Sequence, residues 1–408
     1  MTGLGYRAML ALQMAACLTM GHASLLARME AMGNASECGT VEADATAASE
    51  SIIKANAKVP LPLQIETRHA VLIDPLKPLE AGEVAADVFA GLPKVLTDEG
   101  KSVSDFTKFV VVSTTTKDDG PTGLIIGDDV CGGPGFDDGD AVAFMRAEVP
   151  EHLGFQSPTV LSCSKSECSK DALDTLKHQL PFLQAISDNK LKGNLLPIVI
   201  QNQNLDIGAH LGDALAYLVS DRGLWEGQSV LFVFGTDMSH GLPSDHAMDC
   251  DRKMAELLTT KSSAQVANFF RDLKSETAGE WCGGDNALPK SRASVIAARH
   301  VSEMLNLQQS HKLVSNNARV REAKEAAQKA KIAAAAAAGV PVSDEAAAPA
   351  PPPLMPKDVR GFVSVLYWGD TMSVSERVGA MTPGGSTRQG VGFLQKKRQR
   401  LEVGPHKV

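Results

Sequence analysis

Continuous apolar runs alternate with stretches of helical period through most of the chain between residues 60 and 370. "HAVLID" (69–74), "KFVVVS" (108–113), "LLPIVI" (195–200) and "SVLFVFG" (229–235) are short, β-branched and uninterrupted. A strand buried on one face alternates apolar with polar positions, so unbroken runs predict strands covered on both faces. Between them, "AGEVAADVFAGL" (81–92), "KDALDTLKHQLPFLQAI" (170–186), "IGAHLGDALAYLV" (207–219) and "SDHAMDCDRKMAELLTT" (244–260) carry helical spacing. Strands alternating with helices predict a layered α/β fold, its central sheet largely parallel or mixed and flanked by helices.

The pattern also divides the chain. Residues 1–60 form a polar, Ala-rich extension, and 61–318 carry the α/β pattern. "RVREAKEAAQKAKIAAAAAAG" (319–339) is a strong helix former without an apolar stripe, and the Ala/Pro run to residue 356 cannot bury enough surface to fold alone. Both read as an insertion, 319–356, because "GFVSVLYWG" (361–369) is core strand again and 357–395 completes the domain. The basic run "QKKRQR" (395–400) leads a solvated tail, 396–408.

Composition narrows the function. The 408 residues are 44% hydrophobic with a formal net charge of -8, the profile of a soluble globular protein. A general nucleic-acid binder needs a basic surface, so that class is excluded. Aromatics at 5% are too few for a stacking platform. Seven scattered cysteines without CxxC suit a reducing compartment, which points to the cytoplasm. The first 24 residues carry three competing readings: a signal peptide, an organelle presequence or an amphipathic helix. No segment approaches the length and apolarity of a transmembrane span. "GDDVCGGPGFDDGDAV" (127–142) lacks the spacing of a calcium loop and reads as a long surface loop.

Chemistry concentrates in "LFVFGTDMSHGLPSDHAMDCDRK" (231–253), where a buried strand ends in Asp237, Ser239 and His240. Open α/β sheets place ligands at the carboxyl ends of their strands. A serine hydrolase would need Ser239 and His240 to meet, and no Gly-x-Ser-x-Gly elbow is present. Cys282 with His240 as base is the other nucleophile the residue types allow.

The same stretch, with Ala247 and Asp251 at fixed distances, resembles the Memo family, also called AmmeMemoRadiSam system protein B. Thr236 stands where that family usually has Ser. "HQLPFLQAI" (178–186) is similar to its Leu-Pro-Phe helix, "WCGGDNALPKSRASVIAARHVSEML" (281–305) to its Cys-Gly segment, and "VLYWGDTMSVSERVGAM" (365–381) to its closing strand and loop.

The resemblance implies a fold related to class III extradiol dioxygenases and a metal held by two His and one Cys. "IDPLKPLEAG" puts Leu76 at the first His position, and "VVVSTTTKDDG" offers Thr116 or a near neighbour at the second. Asp174 and Lys177 replace a further His and Glu. Only Cys282 and the Asp237/His240 pair survive. A metal site needs at least three well-placed ligands, so this one is expected to bind metal weakly or not at all. The expected function is a binding or scaffold protein, with no resident cofactor and an unknown protein or small-molecule partner at the ancestral pocket. The alternative is an iron- or copper-dependent redox or dioxygenase-like enzyme, its metal held by Asp237, His240 and Cys282 with help from His69, Asp74 or Glu80.

Overall fold

The computed structural model describes residues 67–75, 106–114, 124–126, 137–153, 160–161, 176, 178–187, 190–201, 205–220, 223–273, 281–282, 284–337 and 354–370. The strands are β1 (Thr67–Pro75), β2 (Lys108–Thr114), β3 (Leu124–Ile126), β4 (Val160–Leu161), β5 (Leu195–Ile200), β6 (Val230–Thr236), β7 (Gln309–Asn316) and β8 (Gly361–Asp370). They form one 8-stranded sheet in the order β4-β3-β5-β2-β6-β1-β8-β7. The helices are α1 (Gly139–Leu153), α2 (Leu180–Ile186), α3 (Leu205–Leu218), α4 (Ser244–Thr260), α5 (Ser263–Asp272), α6 (Arg292–Met304) and α7 (Asn317–Ala337). The fold is α/β and the sheet is mixed: β5, β2, β6 and β1 run parallel, while β3 on β5 and β8 on both β1 and β7 are antiparallel.

The unbroken apolar runs become the parallel centre. Ile73 and Val112 both register with Phe234, and these three join a core with Leu211 and Leu215 of α3, Met254 of α4 and Ile296 of α6. On the alternate positions Leu72, Val111 and Val233 are also buried. Each such side chain stabilises the fold by roughly 1.5–3 kcal/mol relative to leaving it in water. Because the four central strands are parallel, their carboxyl ends share one edge.

Helices α3 and α6 approach backbone to backbone. A Cβ on Gly208 would lie 2.4 Å from the Ala293 carbonyl oxygen, and one on Gly212 would lie 2.8 Å from His300 Cβ. Polar groups lock the contact: His300 Nε2 meets Asp213 at 2.7 Å and its Nδ1 meets the Ser263 hydroxyl at 3.0 Å. That hydroxyl also donates to Glu303 at 2.5 Å, and Ser263 is buried. The Ser-His-Asp chain therefore pins α3, α5 and α6 rather than presenting a nucleophile.

Two features depart from the sequence expectation. The last residues of the expected 127–142 loop are helical, because Asp138 accepts from Ala141 N at 3.0 Å and starts α1. Its carboxylate is held by Lys108 at 2.6 Å and Trp225 at 3.2 Å, partners far away in sequence. Strand β7 was given no apolar signal by "QSHKLVSN" and is an edge strand built by pairing with β8. Helix in the 170–186 segment is described for Leu180–Ile186, and the expected helix 81–92 lies outside the described residues, as do residues 1–60 and 371–408. Among the described residues, no helix is long and apolar enough to cross a membrane.

The glycine geometry makes opposite predictions at two sites. Gly208→Ala is expected to cost roughly 1–3 kcal/mol, because the clash is with backbone. Gly139→Ala, with nothing within 4 Å, is expected to be neutral or stabilising by up to about 1 kcal/mol. Urea denaturation of both variants beside wild type measures the contrast.

Candidate functional site

Strand β6 delivers Thr236 to the carboxyl edge, and the chain must turn there before α4 can start. The turn, Asp237 to Gly241, is held by side chains and by backbone groups of distant segments. Ser239 donates from N and Oγ to the two oxygens of Asp251 on α4, at 3.0 and 2.8 Å. His240 N donates to the Asn286 carbonyl at 2.7 Å, and Gly241 N, at φ 67°, to the Val359 carbonyl at 2.8 Å. Gly361 N donates to the Ser239 carbonyl at 2.6 Å, which joins the start of β8 to the same turn.

Asp237 serves the opposite flank. Its Oδ1 accepts from Ser291 N at 2.9 Å and Ser291 Oγ at 2.8 Å, and its own N–H donates back to that hydroxyl at 2.9 Å. Thr236 Oγ1 reaches the same hydroxyl at 2.5 Å, and Ser294 Oγ donates to the Gly235 carbonyl at 3.1 Å. Ser291 is the N-cap of α6, so the carboxylate sits at the positive end of that helix, where a negative charge is favoured.

His240 shares this wall, half-buried, with its Nδ1 buried and, among the described residues, without a hydrogen-bond partner. Burial, then the Lys290 charge, holds its pKa below the usual histidine range, against the opposing pull of Asp237 and of a hydrogen bond to the Met238 backbone. The imidazole is therefore neutral at neutral pH.

Cys282 is engaged elsewhere. Its backbone is left-handed at φ 52°, and its carbonyl accepts from His246 Nε2 at 2.9 Å and Cys250 Sγ at 3.4 Å, both on α4. The structure thus pairs Asp237 with Ser291 and ties the Cys282 carbonyl to α4. Ser291, Asp251 and Gly361 were not singled out as site residues by sequence reasoning. The spacing from Ser239 to Asp251 was visible in the family resemblance, but no local signal marks Ser291 as the partner of Asp237.

The same edge carries a second polar group. Asp74, at the end of β1, registers with Gly235, and pleat alternation puts Asp74 and Ser113 on the face opposite Ile73 and Val112. Asp74 is fully buried; its Oδ1 accepts from Ser364 Oγ at 2.9 Å, while Oδ2 has no hydrogen bond. Ser113 Oγ is also buried without a partner. Gln179, just before α2, donates from Nε2 to the Pro75 carbonyl at 2.7 Å and leaves Oε1 buried and unpaired. Burial pushes the Asp74 carboxyl up to about 8, opposed by the Ser364 hydrogen bond. Burial likewise raises Asp251 to about 7, opposed by its two bonds from Ser239.

These residues do not fit a two-His, one-Cys metal set. Leu76 offers no lone pair, and it lies with Thr116 and Glu80 outside the described residues. His69 registers with Val230 at the start of β6, five residues before Asp74 and so roughly 16 Å away along the strand. Among the described residues, no group of three or more His, Cys, Asp or Glu side chains is arranged to hold an ion.

Comparison with known proteins gives one family. The family model described as Memo-like protein matches residues 162–320, from the segment before α2 through the start of α7. The match covers β5, β6 and the Asp237 to Cys282 wall, and leaves β1, β2 and β8 outside. No curated protein matches the chain.

Two variants test the site's internal bonds. Asp251→Ala strands two buried Ser239 donors and is expected to cost roughly 3 kcal/mol in equilibrium unfolding. For Asp74 the folded group keeps its proton between its ordinary value of 3.8 and about 8, where the unfolded group has lost it. Its stabilising contribution is complete below 3.8 and is lost as pH rises toward 8. Wild type should therefore lose stability relative to Asp74→Asn across that window, with a slope of up to about 1.4 kcal/mol per pH unit. Paired denaturation curves at several pH values measure it; parallel pH profiles would refute the assignment.

Proposed function

From the similarity of residues 162–320 to the Memo-like family model and the geometry of the edge, we propose that the chain is a Memo-like binding protein whose ligand meets the carboxyl edge of the sheet. Metal-dependent oxidation is not its activity in this reading. The observation that carries the proposal is the set of buried, unpartnered polar atoms at that edge: Asp74 Oδ2, Gln179 Oε1, Ser113 Oγ and His240 Nδ1. Each buried polar group without a partner costs about 1–3 kcal/mol, a cost that a ligand supplying hydrogen-bond partners would recover. Gln179 Oε1 accepts, whereas the Ser113 hydroxyl and the protonated Asp74 carboxyl can donate, so the ligand is a polar small molecule or peptide segment that carries both donors and acceptors.

The metal alternative requires Asp237, His240 and Cys282 to converge on one ion. Asp237 Oδ1 is occupied by two donors from Ser291, and the Cys282 segment is bonded to α4, which supports the binding reading over that one. Elemental analysis of anaerobically purified wild type, beside Cys282→Ala and His240→Ala, tests it. Wild type is expected to hold far less than one transition metal per chain. One iron or copper per chain, lost in both variants, would overturn the proposal and make the protein a metal-dependent redox enzyme.

A further inference from the structure

On the far side of the His240 wall two cysteines meet. Cys250 is fully buried on the inner face of α4, in a small apolar cluster with Leu242, Ala247, Ala287 and Val359. Cys282 is half-buried against the same cluster, and both are free thiols. Cys250 Sγ donates to the Cys282 carbonyl at 3.4 Å, so the two residues are in direct contact. One helical turn earlier, His246 Nε2 reaches the same carbonyl at 2.9 Å. With both His246 and Cys250 donating to one carbonyl, the Cys282 backbone is held over α4 in its left-handed conformation, uncommon for a residue other than glycine.

We propose that Cys250 and Cys282 are a redox pair, closed to a disulfide by a hydroperoxide and reopened by a dithiol reductant. The more exposed Cys282 sulfur attacks one peroxide oxygen; the O–O bond breaks, one water leaves and Cys282 becomes a sulfenic acid. The Cys250 sulfur then displaces the hydroxyl group. An S–S bond forms, the S–O bond breaks, and the Cys250 proton leaves with the hydroxyl as a second water. Two electrons pass from the thiols to hydrogen peroxide, which ends as two waters. The bond would tie α4 to the segment carrying Asn286 and Ser291, the partners of His240 N and Asp237, so oxidation state would set how firmly that wall is held. None of this depends on the ligand reading above.

The experiment treats the reduced full chain with a small excess of hydrogen peroxide, blocks remaining thiols by alkylation and maps the digest by mass spectrometry. Expected are a peptide pair linked through Cys250 and Cys282 with loss of two hydrogens, reversal by dithiothreitol, and a monomeric product. In Cys250→Ala, Cys282 is expected to accumulate as a dimedone-trappable sulfenic acid; in Cys282→Ala, buried Cys250 is expected to stay a thiol. Overturning results are Cys282 reaching sulfinic acid as fast in wild type as in Cys250→Ala, or pairing instead with another of the seven cysteines. If the alanine variants fail to fold, the wild-type linkage map alone decides.

Discussion

The buried carboxylate of Asp251 is the fixed point of this wall of the molecule. A carboxylate taken out of water is costly unless its oxygens are engaged, and here both are, by the N–H and hydroxyl of Ser239. The contact leaves no room for a side chain opposite: a Cβ on Gly361 would fall 1.7 Å from Asp251 Oδ2 and 2.5 Å from Ser239 Oγ. Gly361 is glycine for that reason, and its N–H closes on the Ser239 carbonyl. One carboxylate thereby joins the end of β6, the inner face of α4 and the start of β8. The orientation of His240, between Asn286 and Arg360, follows from it.

Asp237 makes a matching arrangement on the other flank, where Ser291 takes and gives hydrogen bonds at the start of α6. A strand end that reads as Asp, Ser and His looks catalytic, because those residue types carry most enzyme chemistry. Asp237 is spent here on the N–H and hydroxyl of Ser291, and Ser239 on the Asp251 carboxylate, to which it donates. The residue left with an open atom is His240, and it shares the edge with Asp74, Gln179 and Ser113. The site is therefore a rigid frame of satisfied hydrogen bonds around a few unsatisfied ones. The proposed binding role rests on that arrangement, since such a frame lowers the ordering cost of association. Behind the frame, the Cys250 and Cys282 thiols sit where a single covalent bond would brace it.

The chain alone determined the centre of the sheet. Runs such as "KFVVVS" and "SVLFVFG" could be read because burial on both faces is written into local composition, and β1, β2, β5, β6 and β8 follow them closely. It also determined which residue types crowd the end of β6. The edge strand β7 escaped notice because its partly exposed face carries no period, and its pairing with β8 spans the long helix α7 between them. The start of α1 escaped because Asp138 is fixed by Lys108 and Trp225, which no local window contains. Tertiary structure alone decided that Asp237 binds Ser291, that Ser239 binds Asp251 beneath Gly361, and that Cys282 lies on Cys250. Hydrophobic burial is a property each residue carries by itself, whereas a hydrogen bond or a thiol contact belongs to two residues that only the folded chain brings within reach.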